Sequence, residues 1–380
     1  MTLHQTVIRT AKHLAALSVL LLAASCSLIT PKEAIIDCPL RDEVYSVDSP
    51  MMDLMLNPEA KKVLKAELPR LMKSIPPMFL ASEAPSLSAI MTLRGSADLL
   101  RMPMDEAMVN QLNQKLAQVV ISDEDKKARC ARYDDEQPAF TLSNANVQVL
   151  VFDKVNGYGH ESIATTNDAI KAIADNLGWG VVVTDKGGAF SAETLAQFDV
   201  VVWNNVSGDV LTLSQRAAFE DYINTGGGFL GIHGSGGDFM YLWDWYLNEL
   251  LGAQFIGHTM NPHYQHATIH IESSASQIDK GLPKQWSVHD EWYSFSGNPR
   301  EKGFDIIATV DETSYLPEMS GISLRMGDDH PIVWSRCVGK GRSFYSALGH
   351  LPEVYRDEKN IMLLKNALLW TAGQGEKNCH

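Results

Sequence analysis

From residue 147 onward, short runs of aliphatic and β-branched residues alternate with segments of helical periodicity. The first four runs cover residues 147–152, 181–185, 199–204 and 229–233. An alternation of strands and helices predicts a parallel sheet with helices on both faces. In sheets of this kind, ligands bind beyond the carboxyl ends of the strands. The pattern therefore predicts an α/β fold and the edge at which a functional site would lie.

Polar and titratable residues follow several of these runs. His160 lies beyond the first strand, Asn204 ends the third, and His233 ends the fourth. Further candidates in later segments are Asp238, Tyr246, His258, Asp290, Glu291, Tyr293 and His350. A structural role would explain any one histidine, but it poorly explains so many at corresponding places. The sequence therefore predicts that these groups converge on one rim of the sheet.

Several short motifs occur in a fixed order along this region. They are Gly-His-Glu-Ser-Ile at 159–163, Gly-Gly-Phe-Leu-Gly-Ile-His at 227–233, Asp-Glu-Trp-Tyr at 290–293, His-Pro-Ile-Val-Trp at 330–334, Gly-Lys-Gly-Arg at 339–342, Leu-Gly-His at 348–350 and Trp-Thr-Ala-Gly at 370–373. The ordered set closely resembles the ThuA-like (trehalose utilisation) family over about residues 146–374. The resemblance implies a mostly parallel sheet flanked by helices, similar to class I glutamine amidotransferases. It also implies a sugar substrate, with oxidised (keto) glycosides the usual suggestion.

The turn after the fourth strand departs from the wider glutamine amidotransferase superfamily. Amidotransferases carry a nucleophilic cysteine there, whereas residues 231–234 read Gly-Ile-His-Gly. The sequence therefore predicts no cysteine-dependent acyl transfer. It favours acid–base chemistry with His233 and His160 as the proton-transferring groups. Asp238 and Glu291 would assist them as catalytic carboxylates.

The remaining candidates would bind the substrate. They are Asn204, Tyr246, His258, Asp290, Tyr293 and His350. The expected ligand is a small sugar, and hydrolysis, elimination and isomerisation all stay open as reactions. Nucleic acid is not an expected partner. The chain has a net charge of −14 and an isoelectric point near 5.3, whereas binding to nucleic acid requires clusters of Lys and Arg.

Histidines near carboxylates also raise the question of a metal cofactor. His233, His258 and His350 with Asp238 or Glu291 would be ligands of the usual types. No H-E-x-x-H spacing supports such a site. The sequence therefore predicts no metal ligands, and it leaves a divalent metal as the less favoured alternative.

The first 25 residues differ in character from the rest. Arg9 and Lys12 precede an apolar run at residues 14–24, which is too short to span a bilayer and is typical of a signal peptide. Small residues then lead directly into Cys26, and this resembles the lipobox of bacterial lipoproteins. With Ser27 rather than aspartate next, we expect a lipid anchor on the periplasmic face of the outer membrane. The alternative is ordinary cleavage that leaves Cys26 free.

The mature chain divides into four further segments by composition. We predict a tether at residues 26–50, a small helical domain at 51–122, a linker at 123–145 and the ThuA-like α/β domain at 146–375. The helical segment is rich in methionine. Those side chains would fill a core or form a surface that contacts another protein.

Four cysteines remain after Cys26. In an oxidising compartment an even number permits two disulfides, and four cysteines allow three pairings. The most local pairing joins Cys38 to Cys130 and Cys337 to Cys379.

The leading hypothesis is a periplasmic, lipid-anchored enzyme that processes carbohydrate. It would act as a hydrolase, a lyase or an isomerase. The alternative is a non-catalytic sugar-binding or scaffold module of a carbohydrate-uptake system. The enzyme hypothesis requires that His160, His233 and Glu291 share one pocket, within hydrogen-bond reach of a common ligand.

Overall fold

The computed structural model describes residues 34–272, 277–374 and 379. The predicted signal peptide, the lipidation at Cys26 and the first part of the predicted tether lie outside the described residues. The described residues from Ile35 onward form one compact unit, and every described helix and strand belongs to it.

Thirteen strands lie in the described part of the chain. They are β1 (Gln148–Phe152), β2 (Gly180–Thr184), β3 (Val200–Asn204), β4 (Gly228–Ile232), β5 (Phe255–His258), β6 (Tyr264–Ile271), β7 (Gln285–Glu291), β8 (Tyr293–Phe295), β9 (Asp305–Val310), β10 (Glu318–Met319), β11 (Ile322–Ser323), β12 (Pro331–Val338) and β13 (Gly341–Ser346). β5 pairs with β8, and β10 pairs with β11, in two small antiparallel sheets.

The other nine strands form the central sheet, in the order β2-β1-β3-β4-β13-β12-β9-β6-β7. The first five of these run parallel to one another. The remaining four extend the sheet in antiparallel fashion. All residues of β1, β3 and β4 are buried, as expected for parallel strands covered on both faces. The mostly parallel α/β sheet predicted from the sequence is confirmed.

Ten α-helices lie in the same described residues. They are α1 (Met51–Leu56), α2 (Pro58–Glu67), α3 (Pro69–Ser74), α4 (Leu93–Leu99), α5 (Glu106–Leu116), α6 (Asp123–Cys130), α7 (Ile163–Leu177), α8 (Ala192–Leu195), α9 (Leu213–Thr225) and α10 (Glu358–Thr371). Helices α7, α9 and α10 contact strands of the central sheet. Among the described helices, none combines the length and the apolar character needed to cross a membrane.

The helical region predicted before the α/β domain is present as α1 to α6. Asn57 begins α2, because its side chain accepts a hydrogen bond from the Ala60 N–H at 2.9 Å. The methionines of this region divide between the two roles that the sequence left open. Met51 and Met55 lie in the core that α1 to α5 share, whereas Met78 and Met102 are exposed.

The segment between the helical and α/β regions begins with a helix. Ser122 caps α6 by a reciprocal capping box with Asp125, so residues expected in a linker are helical here. A disulfide joins Cys130 at the end of α6 to Cys38. The second disulfide joins Cys337 to Cys379, so the structure has the most local of the three pairings.

The topology brings distant parts of the chain to one edge of the sheet. β3, β4 and β13 are parallel neighbours, so their carboxyl ends lie side by side. They lead to Asn204, His233 and the segment at residues 347–350 respectively. Glu291 ends β7, which pairs with β6 so that Glu291 faces Tyr264. Residues far apart in sequence can therefore meet at this edge.

A buried ion pair joins α1 to the segment after α6, and we predict that it stabilises the fold. Arg132 Nη1 lies 2.5 Å from Asp53 Oδ1, with side chains only 5% and 2% exposed. Asp53→Ala leaves a buried guanidinium without its carboxylate and should lower the free energy of unfolding by about 3–5 kcal/mol. Urea unfolding followed by circular dichroism measures this change.

The exposed pair of Arg94 with Asp48 is the matched control, since its side chains are 43% and 55% exposed. Asp48→Ala should change the free energy of unfolding by no more than about 1 kcal/mol. Equal effects of Asp53→Ala and Asp48→Ala would contradict the prediction.

Candidate functional site

His233 occupies the sharp turn directly after β4. Its backbone φ is +39°, a conformation that non-glycine residues rarely adopt and that is enriched at functional sites. The side chain is fully buried, and Nδ1 lies 2.7 Å from the carbonyl oxygen of Ala347. A carbonyl can only accept, so Nδ1 carries the proton. In the neutral ring, Nε2 therefore presents a lone pair towards His350 Nδ1, 3.2 Å away, whereas in the protonated ring Nε2 can donate to Glu291 Oε2.

Glu291 lies at the centre of the site, and four imidazoles surround its carboxylate. Oε2 is 3.1 Å from His350 Nδ1 and 3.4 Å from His233 Nε2. Oε1 is 3.0 Å from His258 Nδ1 and also contacts His263 Nε2. The Glu291 side chain is only 3% exposed, so these imidazoles replace nearly all of its hydration. A buried carboxylate needs partners of this kind to remain ionised.

These contacts set the protonation states of the cluster. Burial alone would raise the pKa of Glu291, but hydrogen bonds from His233, His263 and His350 outweigh it and hold that pKa well below its usual range. Burial would lower the pKa of His350, yet its hydrogen bond to Glu291 raises it overall. Burial and the neighbouring His233 and His350 lower the pKa of His160. At neutral pH the site therefore combines a carboxylate anion with imidazoles of different basicity.

His160 lies beside the cluster without joining its hydrogen bonds. Its ring centroid is 4.9 Å from those of both His233 and His350, in edge-to-face contact. Gly234 permits this approach, because a Cβ there would lie 2.5 Å from His160 Cε1. His160 Nδ1 is buried and has no hydrogen-bond partner. A buried polar atom in that state is costly, so it indicates a place for a ligand.

Asp290, the residue before Glu291, faces the backbone rather than the imidazoles. Its carboxylate accepts hydrogen bonds from the Gly349 N–H at 2.7 Å and the Leu351 N–H at 3.1 Å. These bonds fix the loop that carries His350. Sequence analysis placed Asp290 among the sugar-binding residues, and its observed contacts are those of a residue that positions His350.

Asp238 stands apart from the cluster. Its carboxylate accepts hydrogen bonds from the Ser207 hydroxyl at 2.7 Å and the Gly208 N–H at 2.6 Å. No hydrogen bond or ion pair found in the described residues links Asp238 to a histidine. Burial raises the pKa of Asp238 to about 7. The carboxyl group lines the same cavity as Glu291, but it holds the turn at residues 207–208.

Two further predicted sugar-binding residues hold the surrounding structure. Asn204 donates hydrogen bonds to the Ile163 carbonyl at 2.9 Å and to Asn167 Oδ1 at 2.8 Å, and so ties β3 to α7. The Tyr246 hydroxyl donates to the Ser235 carbonyl at 2.6 Å. Both side chains are buried, and neither lines the cavity.

A cavity of about 610 Å³ opens over the cluster, within the range of small-molecule sites. Predicted residues that line it are His160, Asp238, His258, Glu291, Tyr293 and His350. His233 lies behind this lining and stacks on Tyr293 at 4.3 Å between ring centroids. The helical region also lines the cavity, mainly with apolar side chains. They are Met78, Phe79, Leu87, Ile90, Leu99 and Leu100, and Arg101 lies beside them in the sequence.

Two residues of the cluster received no role from sequence analysis, although His263 belongs to the histidines that the sequence places towards the rim of the sheet. His263 contacts Glu291, and the Tyr264 hydroxyl lies 3.0 Å from His350 Nε2. Tyr264 begins β6 and His263 directly precedes it, and the antiparallel pairing of β6 with β7 sets Tyr264 opposite Glu291. That pairing is the signal that would have found them, and single-strand periodicity does not reveal it.

The raised pKa of Asp238 predicts a pH-dependent stability. Because its pKa is about 7 in the folded protein and 3.8 ordinarily, the folded state retains a proton over this interval that the unfolded chain releases. The resulting stabilisation is complete below the lower pKa and is lost as pH rises through the upper one. Asp238→Asn resembles the protonated acid at every pH. Its stability relative to wild type should therefore rise between about pH 5 and about pH 8.

Urea unfolding at the two pH values measures this difference. The exposed Asp244 is the control, and Asp244→Asn should show a much smaller change with pH. A stability difference between Asp238→Asn and wild type that stays flat with pH would contradict the prediction.

Comparison with known proteins concerns mainly the α/β region. The structure is similar to a protein described as ThuA-like from Bacteroides uniformis, at 22% identity over 62% of this chain and 95% of that one, with a TM-score of 0.51. A protein described as ThuA-like from Parabacteroides merdae shares 18% identity over 60% and 90% of the two chains, with a TM-score of 0.46. The first likeness supports the fold alone. No curated protein matches the chain in sequence.

The family model for trehalose utilisation, ThuA, matches residues 148–371. This range covers more than half of the chain and includes β1 to β13 together with His160, His233, Glu291 and His350. The chain therefore belongs to the ThuA family.

Proposed function

We propose that this protein is a carbohydrate-processing enzyme whose histidine–carboxylate cluster transfers protons on a sugar bound in the cavity. The single observation that carries the proposal is the set of four imidazoles around buried Glu291 at the cavity wall. His160 and Glu291 line the cavity, and His233 is linked to it through Glu291 and His350. His160 and Glu291 thus share one pocket, whereas His233 lies behind its lining and would not itself reach a ligand bound there.

The cluster offers both an acid and a base near neutral pH. The raised pKa of His350 favours its protonated form, an acid, while burial lowers the pKa of His258 and favours its neutral form, a base. Hydrogen bonds keep the pKa of Glu291 low, so it remains an anion between them. General acid–base catalysis needs groups in these complementary states beside the reacting atoms. His350 and His258 line the cavity and would meet the substrate, whereas buried His233 would act through His350 as a positioning residue.

The substrate class that we propose is an oxidised (keto) glycoside. A carbon beside a keto group is acidic enough for an imidazole or carboxylate to remove its proton, the first step of both elimination and isomerisation. Tyr293 and Tyr158 line the cavity and can pack on the C–H faces of a sugar ring. The apolar wall from the helical region would cover the less polar part of the glycoside.

Glu291→Gln tests the catalytic proposal with almost no change in shape. The substitution removes the charge that stabilises the protonated imidazoles, so turnover of a keto-disaccharide should fall by at least about 100-fold. Product formation from keto- and unmodified disaccharides is followed by chromatography, and sugar binding by calorimetry. His289→Ala is the control, because His289 is exposed and pairs with His266 on the same β6–β7 ribbon.

Unchanged turnover in Glu291→Gln would overturn the assignment of the cluster. Sugar binding by wild type without any turnover would instead support the competing function, a non-catalytic sugar-binding or scaffold module of an uptake system.

We also propose the cellular location that the sequence indicates, a lipid anchor at Cys26 on the periplasmic face of the outer membrane. Support comes from the basic residues, the apolar run and the small residues before Cys26. Cys26→Ser should move the protein from the membrane fraction to the soluble periplasmic fraction of a Gram-negative host. Retention of Cys26→Ser in the membrane fraction would contradict the anchor.

A further inference from the structure

The geometry points to a divalent transition-metal site formed by His233 Nε2, His350 Nδ1 and Glu291 Oε2, with His160 as the fourth ligand. These residues form the buried half of the cluster described above. The inference deepens the proposed function, since it names a cofactor for the same site, but metal binding can be measured without any substrate.

The three central atoms already have the spacing of a coordination shell. His233 Nε2 and His350 Nδ1 are 3.2 Å apart, and Glu291 Oε2 lies 3.4 Å from the former and 3.1 Å from the latter. Bonds of about 2.0–2.1 Å from a tetrahedral ion to its ligands separate neighbouring ligand atoms by about 3.3–3.4 Å. An ion could therefore enter between these atoms with little movement of the protein.

The tautomers that a metal requires are available on both histidines. His233 donates its Nδ1 proton to the Ala347 carbonyl, so Nε2 is free to bind. His350 Nε2 lies 3.0 Å from the Tyr264 hydroxyl oxygen, which can accept a hydrogen bond from Nε2–H, and in that tautomer Nδ1 is free to bind a metal. Metal-binding histidines usually make such a hydrogen bond through their second nitrogen, because it orients the ring.

The position of His160 is an independent observation that supports the metal site. Its ligand nitrogen and those of His233 and His350 all lie within 4.8 Å of one another. Its Nδ1 is buried without a hydrogen-bond partner. Coordination requires a shift of His160 towards the other two rings and would place three nitrogens and one carboxylate oxygen around the ion. Zn²⁺ accepts this donor set.

The other face of Glu291 is less suited to a metal. His258 Nδ1 lies 3.0 Å from both the Thr259 carbonyl and Glu291 Oε1, two acceptors, so this nitrogen carries a proton. His263 is also more exposed than the residues on the Oε2 side, at 32% of its side chain. With His160, His233, His350 and Glu291 Oε2 holding an ion, His258 and His263 would remain free to transfer protons. The ion would supply Lewis-acid chemistry to a substrate oxygen that it accepted as a further ligand.

Zinc binding by the untagged protein tests the inference directly. Metals are first removed with a chelator, and Zn²⁺ is then added. Calorimetry of the titration and elemental analysis of the dialysed product should show one tightly bound Zn²⁺ per chain. Substitution with Co²⁺ should give the visible absorption bands of a four-coordinate ion. His350→Ala and Glu291→Gln should each weaken Zn²⁺ binding by at least about 100-fold, because the loss of a direct ligand exceeds the usual effect of an outer partner.

Two controls separate specific binding from other effects. His289→Ala removes one of two exposed histidines that lie 4.6 Å apart between ring centroids on β6 and β7, and it should leave tight binding unchanged. Circular dichroism of each metal-free variant shows whether it folds, and near-isosteric Glu291→Gln keeps the test valid if His350→Ala does not.

The outcomes distinguish this inference from the proposed function. Tight Zn²⁺ binding without turnover of any sugar supports the metal site and counts against the carbohydrate activity. Turnover by metal-free protein at the full rate, with no tight binding, overturns the metal site and leaves the activity standing. Tight binding that persists in both His350→Ala and Glu291→Gln also overturns it.

Discussion

The burial of the Glu291 charge is the constraint on which the site depends. A carboxylate almost without water is stable only if charged or polar groups surround it, and here those groups are four imidazoles. Each approaches from a different segment, namely the turn after β4, the loop after β13, the end of β5 and the start of β6. Displacement of any of these segments would expose the carboxylate to water or leave it buried without a partner. The stability of the fold and the geometry of the site are therefore coupled.

Hydrogen bonds from the surrounding polar residues fix the positions of the imidazoles around Glu291. Asp290 holds the loop of His350 through two backbone N–H groups, and Ala347 holds the ring of His233 through its carbonyl oxygen. Asn204 ties the end of β3 to the start of α7, which follows the loop carrying His160. Buried polar groups that are fully paired in this way give a site one arrangement rather than several. The exception is His160, whose unpartnered nitrogen leaves room for a ligand.

The parallel part of the sheet was predictable from sequence because strand-end positions follow from local patterns. His160, His233 and His350 each come shortly after a hydrophobic run, and parallel strands end at the same edge. His263 and Tyr264 were not predictable, since their place depends on the non-local pairing of β6 with β7. The local sequence pattern also could not show which carboxylates would accept hydrogen bonds from backbone N–H groups. The side chains of Asp290 and Asp238 are both used in that way.

The family match begins at residue 148, yet the cavity is closed by residues that come before it. The region matched by the family contributes the imidazoles and Glu291 together with apolar side chains such as Phe255, and the helical region contributes Phe79, Leu99, their apolar neighbours and Arg101. An apolar wall cannot hydrogen-bond to hydroxyl groups, so a ligand that fills the cavity loses hydration there unless it presents C–H surface. Under the proposed function, the sugar group that reacts meets the polar wall, and the part facing the helices must be less polar. Under that proposal, the helical region would restrict which glycosides fit without changing the groups that act on them.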